Sequence, residues 1–273
     1  MKLLNGSELA GYIKERQAHQ VRGLRQAWGI SPKLAIIITV DHPAIATYVR
    51  MKERYGADIL VDVDVHRVAQ AEAPSLIDRL NTDETVHGII VQLPLEDPAH
   101  TDEIVDLVTP EKDVDALGKD AILDPATPLA ILWLLAAYNV DLRGKKIVLV
   151  GRGKLVGAPL ERMLKASDYE VSVVDSQTAN PAAIIREADI IISATGQPGL
   201  VTAEMIKQGA VVVDAGVAGE QGKTVGDLAA DVYERGDLTI TPPKGGVGPV
   251  TICALFDNVI RAAEKTRGEV TPR

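Results

Sequence analysis

Residues 146–157 read Lys146-Ile147-Val148-Leu149-Val150-Gly151-Arg152-Gly153-Lys154-Leu155-Val156-Gly157. An apolar run of this length predicts a buried strand, and the glycines that follow predict a tight turn opening a helix. Glycines let the backbone approach a ligand closely, while a helix N-terminus offers unpaired N–H groups and the positive end of its dipole. That combination suits a dinucleotide pyrophosphate. The spacing is G-x-G-x-x-x-G, one residue longer than the usual fingerprint, so an ordinary strand-to-helix turn remains the competing reading at this point.

Working outward, apolar runs alternate with helical patterns. Leu34–Val40 reads as a strand, Pro43–Tyr55 as a helix closed by Gly56, Ile59–Val65 as a strand, Ser75–Leu80 as a helix and Val86–Leu93 as a strand. This βαβ logic predicts a mostly parallel sheet. The long apolar helix Pro128–Tyr138 then leads to a second series, with strands at Lys146–Val150, Glu170–Val174, Asp189–Ser193 and Ala210–Asp214 and a weaker one at Leu238–Thr241. The expected fold class is α/β, with two α/β domains around a cleft, the C-terminal one a Rossmann-type dinucleotide-binding domain. The expected boundaries are residues 1–120 and 121–249, with a final helix in 250–273 free to pack back on the first. A cleft of that kind is the usual place for a small-molecule site.

Composition narrows the function. The 273 residues are 46% hydrophobic and 25% charged, an ordinary globular balance, but only 3% aromatic, so the core is aliphatic and base-stacking platforms are scarce. A net charge of −9 argues against a nucleic-acid or membrane-surface partner, which calls for a basic face. A single cysteine, Cys253, excludes an internal disulfide or a thiolate metal cluster, and the five histidines show no ligand spacing, so no metal is expected. With no basic-plus-apolar leader and no long apolar run, the expected location is cytoplasmic.

Several positions carry chemistry. Tyr48 and Lys52 lie four apart on one face of the helix Pro43–Tyr55. A phenol beside an amine can orient a substrate, relay a proton or, where loss of water lowers the lysine pKa, supply a base. A solvated helix with an incidental Tyr–Lys pair is the plainer alternative. Short-chain dehydrogenases share the Y-x-x-x-K spacing, but there the pair follows the glycine turn, and here it precedes it. Gln92 ends the strand His87-Gly88-Ile89-Ile90-Val91-Gln92-Leu93-Pro94-Leu95, at the carboxyl edge where α/β sheets place ligands. Its amide can fix an amine such as Lys52, or simply bond loop backbone. Lys112-Asp113-Val114-Asp115 offers two loop carboxylates, and Thr241-Pro242-Pro243-Lys244-Gly245-Gly246-Val247-Gly248-Pro249-Val250-Thr251 is a second rigid glycine turn opening a helix.

These segments, in this order, resemble the bifunctional methylenetetrahydrofolate dehydrogenase/methenyltetrahydrofolate cyclohydrolase family, from Tyr48 to about Ala263. Each motif is modest singly; their ordered co-occurrence is specific. The resemblance implies oxidation of 5,10-methylenetetrahydrofolate by hydride transfer to a nicotinamide, then hydrolysis to 10-formyltetrahydrofolate. It implies that Lys52 is the catalytic lysine, that Tyr48 stacks near and orients the folate, and that Gln92 hydrogen-bonds and tunes the lysine. It further implies that Asp115 binds the pterin, that Gly245, Gly246, Val247, Gly248 and Pro249 line the folate pocket, and that the protein is a homodimer. Gly151, Arg152, Gly153 and Gly157 match the cofactor turn. Because the methenyl product is a cation, a neutral Lys52 avoids charge repulsion while assisting proton transfer. A protein keeping only one activity is the alternative within enzymes, and a silent folate- or dinucleotide-binding protein the alternative outside them; a sensor needs no catalytic lysine.

The chain departs from the pattern at four places. Ala116 replaces the usual glycine after Asp115. Ala126 stands where many members carry cysteine. Pro243-Lys244 replaces a Val-Pro pair, and Lys244 either attracts the substrate's glutamate tail or is solvated. Asp175 ends the second strand of the second series, near the spacing at which a carboxylate binds the ribose of NAD. Against it, Arg152 and Ser176 match residues that hold the 2′-phosphate of NADP. An Arg152–Asp175 ion pair would weaken both arguments. The expectation is NADP, with NAD the alternative that Asp175 leaves open.

Overall fold

The computed structural model describes residues 1–220 and 223–269. The chain divides into two compact units, one of residues 11–126 with 252–273, the other of residues 1–10 with 127–251. In chain order the main elements are β1 (Lys2–Leu3), α1 (Gly6–Gly23), β2 (Lys33–Ile38), α2 (Pro43–Ile59), β3 (Asp62–Arg67), α3 (Ala73–Thr82), β4 (Gly88–Val91), α4 (Thr101–Val105), α5 (Ala126–Ala137), β5 (Ile147–Val150), α6 (Gly157–Ala166), β6 (Val171–Val174), α7 (Pro181–Glu187), β7 (Ile190–Ser193), β8 (Val211–Asp214), β9 (Ala218–Glu220), β10 (Lys223–Val225), β11 (Thr239–Ile240) and α8 (Val247–Lys265).

The first unit holds a three-stranded parallel sheet in the order β3-β2-β4. β2 and β4 are apolar and buried along almost their whole length because helices cover both faces, whereas edge strand β3 alternates between exposed and half-buried positions. Ala35, Ile37, Ile89 and Val91 pack with Leu76, Ile77 and Leu80 of α3, each large aliphatic side chain contributing roughly 1.5–3 kcal/mol by leaving water. Residues of α8 also belong here: Asn258 is fully buried and its Nδ2 donates to the carbonyls of Val114 and Asp124, both at 2.9 Å. Of the stretch 250–273 read as a final helix, residues 270–273 lie outside the described residues.

The second unit holds a six-stranded parallel sheet in the order β1-β11-β8-β7-β5-β6. From β5, next to the edge, the chain moves first to edge strand β6 on one side and then to β7 on the other, so its switch point lies between β5 and β7. Beside the sheet β9 and β10 form an antiparallel pair. The first ten residues, read from sequence with the first domain, supply edge strand β1, paired with β11.

The chain runs differently from expectation around Gly56. Instead of closing at Gly56, α2 continues to Ile59, whose side chain is fully buried, and ends at Leu60 in the left-handed region with φ 66°. The next strand therefore starts at Asp62 rather than Ile59. Gly56 is a close-approach position: a Cβ there would lie 2.5 Å from Val63 Cγ2 and 2.9 Å from the Val61 carbonyl oxygen. Ala116 shows the opposite mismatch, a side chain held at φ 54°.

Two substitutions of opposite sign follow, both read as the unfolding midpoint in denaturant. Gly56→Ala gains about 1 kcal/mol of helix propensity but overpacks by about 1–3 kcal/mol, so a net loss near 1 kcal/mol is expected. Ala116→Gly relieves a left-handed conformation costing about 1–2 kcal/mol and gives back about 0.4–1 kcal/mol of unfolded-chain entropy, so stability rises by about 0.5–1 kcal/mol.

Candidate active site

In the first unit, β3 and β4 flank β2 on opposite sides, and the carboxyl ends of β2 and β4 mark the switch point at which such sheets hold ligands. Both chains leaving that edge carry polar groups. Gln92 follows β4 directly, its backbone N–H donating to the Ile37 carbonyl at 2.9 Å. Its side-chain Nε2 donates to the Leu93 carbonyl at 3.0 Å, which turns Oε1 the other way, where it accepts from Lys52 Nζ at 2.8 Å. Lys52 sits on α2, one turn after Tyr48.

Both Lys52 and Asp115 are half-buried. Loss of water pushes the Lys52 ammonium below the usual lysine pKa, while the charge of Asp115 opposes the shift. Burial likewise pushes the Asp115 carboxyl above its ordinary value, against the pull of Lys52. Each group is thus driven toward its neutral form by desolvation and held back by the other. Of the two loop carboxylates, Asp113 is spent on structure: it accepts from the backbone N–H of Gly118 at 2.9 Å and of Leu117 at 3.4 Å. Lys112 likewise donates to the carbonyls of Leu80 and Asp83, at 2.9 and 2.7 Å. Lys52, Gln92 and Asp115 are therefore brought together, and Tyr48 stands on the same helix, 42% exposed.

Sequence reasoning missed Asn258, which pins both ends of the loop carrying Asp115; a lone amide on an apolar helix face was its one signal. It also missed the anchor of α2, where the Tyr55 hydroxyl donates to Gln17 Oε1 at 2.7 Å and Gln17 Nε2 donates to the Cys253 carbonyl at 2.8 Å.

In the second unit the glycine turn leaves β5 at the switch point. Gly151 has φ 99°, and a Cβ at Gly157 would lie 2.2 Å from the Gly151 carbonyl oxygen, so α6 starts directly against the turn. Gly153 meets no such limit, having open space around it. The Arg152–Asp175 ion pair weighed from sequence does not form. Arg152 Nε donates to Glu161 at 2.8 Å, a carboxylate that is 8% exposed and also paired with Lys165 at 2.7 Å. Both terminal guanidinium nitrogens stay out of that bond. Asp175 Oδ1 accepts from the Gln177 backbone and the Thr178 hydroxyl, both at 3.0 Å, and these bonds hold its carboxyl below the usual range. Ser176 beside it is exposed.

The second glycine turn is built against the start of α1. Gly245 has φ 77° and its carbonyl accepts from the Ser7 N–H at 2.9 Å, and a Cβ on Gly6 would lie 1.7 Å from the Gly246 carbonyl oxygen. Val247, Gly248 and Pro249, read as loop, form the first turn of α8. Among the described residues no group of three His, Cys, Asp or Glu side chains is placed to hold a metal ion, and no helix is long and apolar enough to cross a membrane.

Comparison with known proteins agrees with this geometry. Residues 4–115 match the family model of the tetrahydrofolate dehydrogenase/cyclohydrolase catalytic domain, and residues 125–267 that of the same family's NAD(P)-binding domain. The bifunctional protein FolD of Moorella thermoacetica is 39% identical, over 97% of this chain and 99% of its own. Among solved structures, the bifunctional enzyme FolD of Campylobacter jejuni is 36% identical with a TM-score of 0.90, covering 97% of this chain and 99% of that one. The Trypanosoma brucei methylenetetrahydrofolate dehydrogenase-cyclohydrolase, complexed with NADP cofactor and inhibitor, is 33% identical with a TM-score of 0.87, covering 97% of each chain. By motif, fold and full-length similarity, the chain belongs to the tetrahydrofolate dehydrogenase/cyclohydrolase family.

Proposed function

We propose that this protein oxidises 5,10-methylenetetrahydrofolate to 5,10-methenyltetrahydrofolate with NADP and hydrolyses the product to 10-formyltetrahydrofolate. The observation that carries this reading is the hydrogen bond from Lys52 Nζ to Gln92 Oε1, which holds a desolvated amine at the carboxyl edge of a parallel sheet.

The turn fits a dinucleotide. Its glycines leave no room for side chains at Gly151 and Gly157, and the α6 N-terminus presents backbone N–H groups suited to a pyrophosphate. When bound, NADP supplies the hydride acceptor. Arg152 and Ser176 would hold the 2′-phosphate. Glu161 leaves the guanidinium fork of Arg152 available, whereas the Asp175 carboxylate is engaged in its own turn, which supports NADP over NAD.

Tyr48 orients the folate and Asp115 binds its pterin, with Gly245–Pro249 assigned to the same substrate; Lys244 is exposed and solvated in this reading. Hydrolysis adds water to the cationic methenyl carbon and then breaks its bond to N5. One water proton reaches N5 and the other is released. A neutral Lys52 takes the proton at Nζ as water attacks, without placing a second positive charge beside the cation. Gln92 Oε1 accepts from the amine in either protonation state and so holds it in place throughout. The family resemblance supports a cytoplasmic homodimer, with folate chemistry in residues 1–120 and dinucleotide binding in 121–249.

The first test follows absorbance of the methenyl product with NADP or NAD in parallel; higher kcat/KM with NADP is expected. Arg152→Gln should lower that value for NADP by about 10–100-fold, as loss of a charge-assisted bond does, and leave NAD nearly unchanged; a preference for NAD instead hands the decision to Asp175. In the hydrolysis assay, wild-type activity should rise with pH as the depressed lysine loses its proton. Lys52→Gln should remove that limb and at least about 100-fold of rate, and a profile unchanged by the substitution would defeat the assignment.

A further inference from the structure

Asp227 lies in the second unit, is completely buried, and is used by none of the steps above. Its Oδ2 accepts from the Ser193 hydroxyl at 2.6 Å and the Thr195 backbone N–H at 2.7 Å, and its Oδ1 accepts from the Gln197 backbone N–H at 2.9 Å. All three donors lie at the end of β7 or just beyond it. Asp227 is itself held, its N–H donating to Asp214 Oδ1 at 3.0 Å, and Asp214 also accepts from the Gly216 N–H at 3.0 Å. A Cβ on Gly226 would lie 2.0 Å from Asp214 Oδ2, and one on Gly216 2.1 Å from Asp227 Oδ1, so the two carboxylates are clasped by backbone.

The segment that Asp227 grips borders the cofactor turn. β5 and β7 are hydrogen-bonded neighbours across the switch point, and a Cβ on Gly151 would lie 2.8 Å from both the Ala194 carbonyl oxygen and Thr195 Cγ2. Ligands of open parallel sheets occupy the crevice outside the carboxyl ends of two such strands. Its walls are therefore the turn after β5 and the segment after β7. We infer that Asp227 is a positioning residue for dinucleotide binding, fixing residues Ala194–Gln197 as the second wall of the crevice whose first wall is the Gly151 turn. This rests on the dinucleotide role proposed above. A carboxylate is the suited group because it accepts on both oxygens, whereas an amide of the same size accepts on one and turns a donor toward donors on the other.

The test is Asp227→Asn, with dinucleotide binding followed by titration with NADPH fluorescence and by KM for NADP, and hydrolysis of methenyltetrahydrofolate measured on the same preparation. Hydrolysis consumes no dinucleotide and serves as the check on folding. The expected result is an NADPH Kd and a KM for NADP about tenfold higher or more, with KM for the folate and the hydrolysis rate within about twofold. Equal loss of both activities would show a merely structural aspartate, and unchanged NADPH binding would likewise overturn the proposal. Should that variant yield no soluble protein, Ser193→Ala removes one donor without orphaning a backbone amide; it must raise the NADPH Kd with hydrolysis intact, or the inference fails. Wild-type protein that binds NADPH but turns over no folate would defeat the functional reading alone, leaving the titration to judge Asp227. Wild-type protein that binds no NADPH would defeat both.

Discussion

An amine taken out of water lowers its energy by shedding its proton or by finding a negative partner. The first unit holds Lys52 between those two outcomes. Gln92 Oε1 accepts from the amine whether or not it is charged, so that bond fixes position without deciding charge. Desolvation favours the neutral amine and Asp115 favours the ammonium. The strand order β3-β2-β4, the run of α2 through Gly56, and the grip of Asn258 on the Asp115 loop together set how near these groups come. A shift in any of them changes the balance between desolvation and the Asp115 charge that acts on Lys52.

The parts of this fold legible from sequence are those whose causes are local. Strands buried on both faces are continuous apolar runs, and a glycine turn at a strand end announces a close backbone approach. The first helix was illegible for an equally physical reason. Along α1 the buried positions include Ile13, Gln17 and Val21, one turn apart, and the middle one is an amide that spends its polarity on Tyr55 and Cys253. A polar residue at a core position hides the period. Gly56 was legible as a glycine but not as the right kind, because the atoms that need its space, on Val61 just before the next strand and on Val63 within it, lie beyond the end of the helix. At the site, Lys52 and Gln92 were readable as a pair through their placement at one sheet edge. Glu161 and Asp227 were not, since nothing in their immediate neighbours distinguishes them from solvated residues, and Asn258 offered only its place as an amide among apolar neighbours.

Buried and half-buried acids are the recurrent device. Asp113, Glu161, Asp214 and Asp227 each accept at least two hydrogen bonds from N–H or O–H donors, and each restrains a loop at a sheet edge. Loops that must stay polar enough to meet ligands cannot be fixed by apolar packing. A carboxylate that gathers several donors holds such a loop while leaving its outer surface free. Part of the chain's acidic excess is therefore internal structure rather than surface charge.

The two-residue pairing of β1 with β11 has a consequence for how the molecule is made. Lys2 and Leu3 register with Thr239 and Ile240, so the earliest-made of these strands must wait for the latest. The carbonyl of Gly245 then receives its donor from Ser7, again across nearly the whole chain. Contacts of such separation are closed late and slowly, after most of the entropy of loop closure has been spent. During synthesis, the edge of the six-stranded sheet thus stays open until its final strand has emerged. A fragment beginning after residue 10 never closes it, and would expose β11 as an unpaired edge, the feature by which sheets recruit other chains.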